Sequence, residues 1–181
     1  MKKYLVIGNP IKHSLSPKLQ NFWIKQNQID AIYDKAKLNF NQLEDLILEL
    51  RSKRINGINI TVPFKNIVIP YLDQLSTEAA KTNSVNTIYL KNNKIIGHNT
   101  DIYGFEKAIN KINFKVNEKK ILILGAGGVV PSIVYALNKM GAINIFISNR
   151  TKAKAQMVKD IFNNLNIVDW GDVPEFDVII N

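Results

Sequence analysis

Residues 121–124, Ile-Leu-Ile-Leu, are apolar without a break, and the run stops on Gly125-Ala126-Gly127-Gly128. A strand that is apolar at consecutive positions suits a parallel sheet covered on both faces. The glycines permit a tight turn. After them Ile133, Leu137 and Met140 recur at helical spacing, with Pro131 early enough to be tolerated and Gly141 closing the helix. A second strand over 143–148, a polar helix over roughly 151–164, a third strand over 167–170 and a fourth over 177–180 follow. A strand, a glycine turn and a helix in this order bring backbone N–H groups at a positive helix end up to a pyrophosphate. The order predicts a Rossmann-type dinucleotide domain, although Val130 stands where a third spaced glycine would complete the pattern.

The end of the second strand bears on which dinucleotide. A carboxylate there would hold the ribose hydroxyls of NAD. The residues are instead Ser148-Asn149-Arg150-Thr151, with Lys154 close behind. A guanidinium and an ammonium suit a 2′-phosphate, so the expectation is NADP(H) over NAD(H). A nicotinamide cofactor implies hydride transfer, and reduction of a ketone also needs a proton for the nascent alkoxide.

Residues before 114 read as a separate α/β unit. A strand over 4–7 breaks on Gly8-Asn9-Pro10. Ser16-Pro17 reads as a helix cap with proline at the first turn, and the helix is expected to bury Leu19, Phe22 and Trp23. Ser14 and Ser16 thus lie between a strand end and a helix start, where side chains face a cleft. Capping accounts for Ser16 alone; nothing of the kind accounts for Ser14, and His13 is given no role. A strand over 31–38 and a helix carrying Leu43, Leu46, Ile47 and Leu50 lead to Gly57-Ile58-Asn59-Ile60-Thr61-Val62-Pro63-Phe64-Lys65. Alternation sends Ile58, Ile60 and Val62 to one face and Asn59 and Thr61 to the other. Pro63 halts the strand and Lys65 lies just beyond. Two readings stand for this end: a half-exposed strand with a solvated Lys65, or one wall of a polar-ligand site.

Short helices are expected over 65–72 and near 77–81. Residues 84–90 form a strand carrying Asn86, Lys91-Asn92-Asn93-Lys94 a turn, and residues 95–97 the hairpin partner. Asn99-Thr100-Asp101 then opens a helix with Phe105, Ile109 and Ile112 on its apolar face. Asp101 at a helix start has the ordinary explanation of capping and dipole complementation. With Lys65 it is also a candidate for proton transfer. The domain expectation is 1–113 for an α/β substrate unit and 114–181 for a partial NADP-binding Rossmann unit.

Composition excludes several classes. At 46% hydrophobic the chain can build a core, and with no cysteine and two histidines it offers neither disulfides nor a thiolate or His-rich metal site. No segment reaches the ~18 apolar residues of a membrane span, and the N-terminal apolar run is too short for a signal peptide. A soluble, cytoplasmic protein is expected. The net charge of +9 comes from scattered lysines interleaved with acids. Such a surface attracts small anions rather than marking a nucleic-acid site.

Ser14-Leu15-Ser16-Pro17, residues 59–65 (Asn-Ile-Thr-Val-Pro-Phe-Lys), Val85-Asn86-Thr87, Asn99-Thr100-Asp101, Gly125-Ala126-Gly127-Gly128 and Asn149-Arg150-Thr151 come in one order across nearly the whole chain. In these motifs the chain resembles the NADP-dependent shikimate dehydrogenases of aromatic amino acid biosynthesis. The resemblance implies reversible reduction of 3-dehydroshikimate to shikimate. It implies that Ser14 and Ser16 hold the substrate carboxylate and that Asn59, Thr61, Asn86 and Asp101 bind ring hydroxyls. Lys65 would transfer the proton, paired with Asp101. Gly125, Ala126, Gly127, Gly128 and Val129 would cradle the pyrophosphate. Asn149, Arg150, Thr151 and Lys154 would take the 2′-phosphate. A quinate/shikimate dehydrogenase and a ligand-binding fragment without turnover are the alternatives.

The chain departs from the family at Asn83-Ser84, where Gly-Ala is usual, at Gln20, where His is common, and in the Val129-Val130-Pro131 opening of the cofactor helix. It also stops in the apolar strand ending at Asn181, where the family continues. A truncated chain is therefore expected, with weak NADP binding and poor turnover.

Overall fold

A computed structural model describes residues 1–181, and they form two compact α/β units. The first comprises residues 1–80 and 84–99, the second residues 81–83 and 100–181. No helix is long and apolar enough to cross a membrane.

In the first unit the chain runs β1 (Lys2–Gly8), α1 (Ser16–Gln26), β2 (Ala31–Lys37), α2 (Leu43–Arg51) and β3 (Gly57–Ile60). This is the β-α-β-α-β order expected from the sequence. β1 pairs in parallel with β2 on one side and β3 on the other. The short β4 (Gln74–Leu75) and α3 (Thr77–Thr82) precede the hairpin of β5 (Thr87–Lys91) and β6 (Lys94–His98). β5 joins β3 antiparallel, giving the order β2-β1-β3-β5-β6-β4. One face of this sheet carries the main core, with Ile7, Ile58, Ile60 and Ile88 packed against Leu43, Ile47 and Leu50 of α2. The other face carries a smaller cluster of Val6, Ile11 and Tyr33, with Tyr4 and Ile24 beside it.

Several local expectations change. β3 stops at Ile60, so the alternation does not reach Val62, which is exposed instead of joining Ile58 and Ile60. Residues 65–72 form turns with one 3-10 helix at Ile69–Tyr71, not a regular helix. Phe64, fully buried, holds that turn in place and meets the Phe40 ring edge-on at 5.2 Å. Leu15, not Ser16, occupies the cap position of α1, and no side chain caps it. Leu19, Phe22 and Trp23 are exposed, because the sheet-facing side of α1 presents Asn21 and Ile24. Helical periodicity marked an apolar stripe there but not what covers it.

In the second unit α4 (Asp101–Lys111) leads to β7 (Lys120–Leu124), α5 (Val130–Lys139), β8 (Asn144–Ser148), α6 (Lys152–Lys159), β9 (Leu165–Val168) and β10 (Val178–Ile180). All four strands are parallel, in the order β10-β7-β8-β9. Ile121, Leu122 and Ile123 are all buried, as a strand covered on both faces requires. Ile121 and Ile123 pack against Val130, Val134 and Leu137 of α5. Phe105 and Ile109 of α4 join this core, which groups α4 with the second sheet; Ile112 lies past the helix end and is exposed.

The unusual Asn83-Ser84 pair has a local account. Asn83 adopts φ of 48°, a left-handed conformation that glycine takes without strain and that Asn tolerates better than most residues. The Ser84 side-chain oxygen is buried with no hydrogen-bond partner. A buried hydroxyl without a partner costs about 1–3 kcal/mol relative to water. Ser84→Ala is therefore expected to raise unfolding stability by about 1 kcal/mol. Urea denaturation reads this directly, and a midpoint below that of the parent chain would contradict the account.

Candidate functional site

Two sets of candidate residues form, one in each unit. The first is built where β1 ends. Gly8 closes the strand, and the Thr61 amide donates to the Ile7 carbonyl at 2.9 Å while the Asn9 amide donates to the Val62 carbonyl at 3.0 Å. These bonds tie the segment after β3 to the end of β1. The loop from Asn9 to Leu15 is braced by the Ser14 amide on the Ile11 carbonyl at 3.0 Å and by Lys35 Nζ on the Lys12 carbonyl at 2.6 Å. Ser14, Ser16 and Thr61 thereby line one cavity of about 310 Å³, together with His13 and the apolar Val6, Pro10 and Ile11. The volume suits a small molecule. Its polar lining is three hydroxyls and an imidazole, with no carboxylate, so it suits an anionic group.

Gly8 is what lets Thr61 sit there. A Cβ on residue 8 would fall 2.6 Å from Thr61 Cγ2 and 3.0 Å from Ile11 Cδ1. Ser16, released from the capping role expected of it, lines the cavity, and its amide lies 3.4 Å from Ser14 Oγ. His13, which the sequence left without a role, lines the same space. Its place beside Ser14 between a strand end and a helix start was a usable signal.

Asn59 and Asn86 meet across the β3–β5 pairing. Asn59 Nδ2 donates to the Asn86 carbonyl at 3.2 Å and to Thr87 Oγ1 at 3.1 Å, and its Oδ1 accepts from the Tyr33 hydroxyl at 2.6 Å. Burial pushes the Tyr33 phenol up to about 12. Tyr33 and Thr87 had no local signature in the sequence, since Tyr33 comes from a strand two positions away in the sheet. Lys65 is half-buried, and its carbonyl accepts from the Val85 amide at 2.8 Å, one residue before Asn86. Asp101 is the first residue of α4 in the second unit.

The second set surrounds the turn after β7. Gly125 has φ of 108°, and its amide donates to the Ser148 carbonyl at the end of β8 at 2.8 Å. The Ala126 amide donates to Asn149 Oδ1 at 3.2 Å, while Asn149 Nδ2 donates to the Thr151 carbonyl at 2.8 Å. Asn149 therefore fastens the glycine turn to the end of β8. A Cβ at Gly125 or Gly127 would meet no atom within 4 Å, so the space above the turn is open. Gly128 and Val129 lead from there to Val130, where α5 starts with no acid in its first turn. Lys152 pairs with Asp169 at 2.5 Å, whereas Arg150 and Lys154 are exposed without an acidic partner. An open turn at a helix start beside two unpaired cations fits a phosphorylated dinucleotide.

Comparisons with known proteins match both units. Residues 6–88 fit the family model described as the shikimate dehydrogenase substrate binding domain, and residues 106–181 fit the one described as shikimate/quinate 5-dehydrogenase. The shikimate dehydrogenase (NADP(+)) of Pelagibacter ubique is 55% identical over 180 residues, covering 99% of this chain and 68% of that protein. The crystal structure of the Aquifex aeolicus shikimate dehydrogenase superposes with a TM-score of 0.86 at 41% identity, covering 93% of this chain and 62% of that one. A Thermus thermophilus shikimate 5-dehydrogenase in complex with NADP(H) and shikimate gives a TM-score of 0.83 at 30% identity, over 93% of this chain and 63% of that one. The chain thus spans roughly two thirds of the length of these relatives.

Gly8→Ala is expected to push the Thr61 side chain out of the cavity and to destabilise the first unit by about 1–3 kcal/mol, the usual cost of overpacking. The Thr61 methyl resonance and the unfolding midpoint would both move; a variant unchanged in both would show that the close approach at Gly8 is not needed.

Proposed function

We propose that this chain, which belongs to the shikimate dehydrogenase family, carries the substrate-binding and cofactor-binding residues for the NADP(H)-dependent interconversion of 3-dehydroshikimate and shikimate. The observation that carries the reading is the convergence of Ser14, Ser16 and Thr61 on one small cavity without an acid. Hydroxyls donating into such a space hold a carboxylate by hydrogen bonds, and no acidic side chain in the lining repels it. Asn59, Thr61, Asn86 and Asp101 recognise ring hydroxyls in this reading. Lys65 gives a proton to the oxygen of the reduced ketone and takes it back in the oxidation direction, with Asp101 as the second catalytic group.

NADP(H), when bound, supplies or receives the hydride. The residues that would hold it are Gly125, Ala126, Gly127, Gly128 and Val129 at the pyrophosphate, and Asn149, Arg150, Thr151 and Lys154 at the 2′-phosphate. The open space over Gly125 and Gly127 and the unpaired Arg150 and Lys154 support that assignment. Residues 1–113 then form the substrate part and residues 114–181 the cofactor part, with α4 grouped structurally with the latter. A small-molecule substrate, a cytoplasmic setting and no nucleic-acid partner belong to the same reading, supported by the absence of cysteine and the dispersed lysines. The second family description includes quinate, so quinate with NAD is the competing substrate pair to test.

The test is shikimate-dependent NADPH formation, run on this chain and on a version extended to the length of its relatives, with quinate and NAD as the second arm. Lys65→Ala is expected to abolish turnover while leaving shikimate binding measurable by titration. Undiminished turnover in that variant would remove Lys65 from the chemistry. Arg150→Ala is expected to weaken NADPH binding roughly tenfold, about 1.4 kcal/mol, and to leave NADH binding nearly unaltered. Equal losses for the two cofactors would refute the 2′-phosphate assignment.

A further inference from the structure

Asp169 follows β9, and the sheet sets it beside the end of β8. The last paired residues of these two strands are Ser148 and Val168. One residue further on stand Asn149 and Asp169, on strands whose spacing is about 4.8 Å. The Asp169 backbone is held in place. Its carbonyl accepts from Ser148 Oγ at 3.3 Å and from the Asp172 amide at 3.1 Å. Asn149 is held as well, by the Ala126 amide and the Thr151 carbonyl. An acid therefore stands one strand away from the position where NAD-binding domains carry theirs. The residues directly after β8 contain none; the neighbouring strand brings this one.

The Asp169 carboxylate is taken up by Lys152, whose Nζ lies 2.5 Å from Oδ1. Lys152 opens α6, and the first turn of that helix also holds Lys154 and no acid. Cations at this end oppose the helix dipole, so the helix itself gives no reason for two of them. Residues two apart on a helix do not share a face. Lys152, turned to Asp169, therefore does not stand beside Lys154 as one more cation on the same side. Arg150 and Lys154 keep their charges open to a ligand, while Lys152 offsets that of Asp169. The pair is 70% and 65% exposed, so it contributes little to stability. Its effect on a neighbouring anion is larger in kind. A phosphate carries close to two negative charges, and an uncovered carboxylate within a screening length, about 10 Å at 0.1 M salt, repels it.

We infer that Asp169 is a specificity-determining residue for the cofactor: a carboxylate beside the 2′-phosphate subsite that Lys152 neutralises, so that preference for a 2′-phosphorylated ligand depends on this ion pair as well as on Arg150 and Lys154. The inference rests on the 2′-phosphate assignment made under the proposed function and deepens it. Lys152 acts through Asp169 and leaves contact with the phosphate to Arg150 and Lys154. Removing Lys152 uncovers an anion next to the subsite. Removing Asp169 leaves a surplus cation there. Removing both restores the balance of charge in the parent chain.

Adenosine 2′,5′-bisphosphate and 5′-AMP differ only in the 2′-phosphate, and calorimetric titration of the whole chain with each, at low ionic strength, reads the subsite directly. Asp169→Asn is expected to tighten binding of the bisphosphate about two- to fivefold, and Lys152→Ala to weaken it by a similar factor. Binding of 5′-AMP should change less than about twofold in both, and melting temperatures should stay near that of the parent. The double variant should return to within about twofold of the parent affinity for the bisphosphate. Unmoved bisphosphate affinity in Asp169→Asn would overturn the inference. So would a double variant as weak as Lys152→Ala alone, because Lys152 would then be a direct ligand of the phosphate. Equal binding of the two probes by the parent chain would refute the 2′-phosphate assignment and the inference with it. A parent that prefers the bisphosphate, with either single variant failing to move that preference, would refute the inference alone.

Discussion

The two faces of β3 carry unlike side chains, and most of the first unit is arranged around keeping them apart. Ile58 and Ile60 go into the core under α2, where they are fully desolvated. Asn59 and Thr61 go to the face under α1, where a polar group out of water must find a partner or lose stability. Asn59 finds three, from Tyr33, Asn86 and Thr87. Thr61, beyond the end of the strand, is held through its backbone and turns its side chain into the cavity. Because the side-chain period is two, a slip of one residue in this strand would exchange core and site completely. The register against β1 and β5 is therefore also what keeps the site in being.

The same division of labour recurs in the second unit. β7 is apolar at every central position and anchors the sheet, so the residues that could meet a ligand are confined to its end. There the Gly125 amide and the Asn149 side chain join the ends of β7 and β8. A strand buried at its three central residues thus hands over to an exposed turn whose backbone is held by hydrogen bonds. Preorganised donors cost less to align on a ligand than mobile ones. In each unit a glycine sits at the handover, but for different reasons. Gly125 has a backbone angle that side chains resist, whereas Gly8 has an ordinary one and is needed because Thr61 comes too close.

Much of this was legible in the sequence. The alternation in residues 57–60, the unbroken apolar run before Gly125, and the basic residues after β8 are local patterns, and local patterns survive into any fold that uses them. The places where expectation and structure part are those that need a partner from elsewhere. The stripe Leu19, Phe22 and Trp23 has the period of a buried helix face, yet the helix meets the sheet through Asn21 and Ile24. α4 follows the first sheet in sequence, yet its apolar side belongs to the second core. Ser16 has the sequence context of a cap, but the cap position is one residue earlier.

The sequence by itself determined the class of fold and the family, and it pointed to a cofactor type and to the residue types of the candidate site, because strand period, glycine position and the absence of an acid after β8 act over a few residues. Tertiary structure decided which hydroxyls share a cavity and which amide faces which way. Tyr33 and Asn59 are far apart in the chain, and the crossover through α2, which sets their strands on either side of β1, brings one within 2.6 Å of the other. No spacing rule encodes that meeting; it follows from strand order and register, which depend on the burial of the whole sheet.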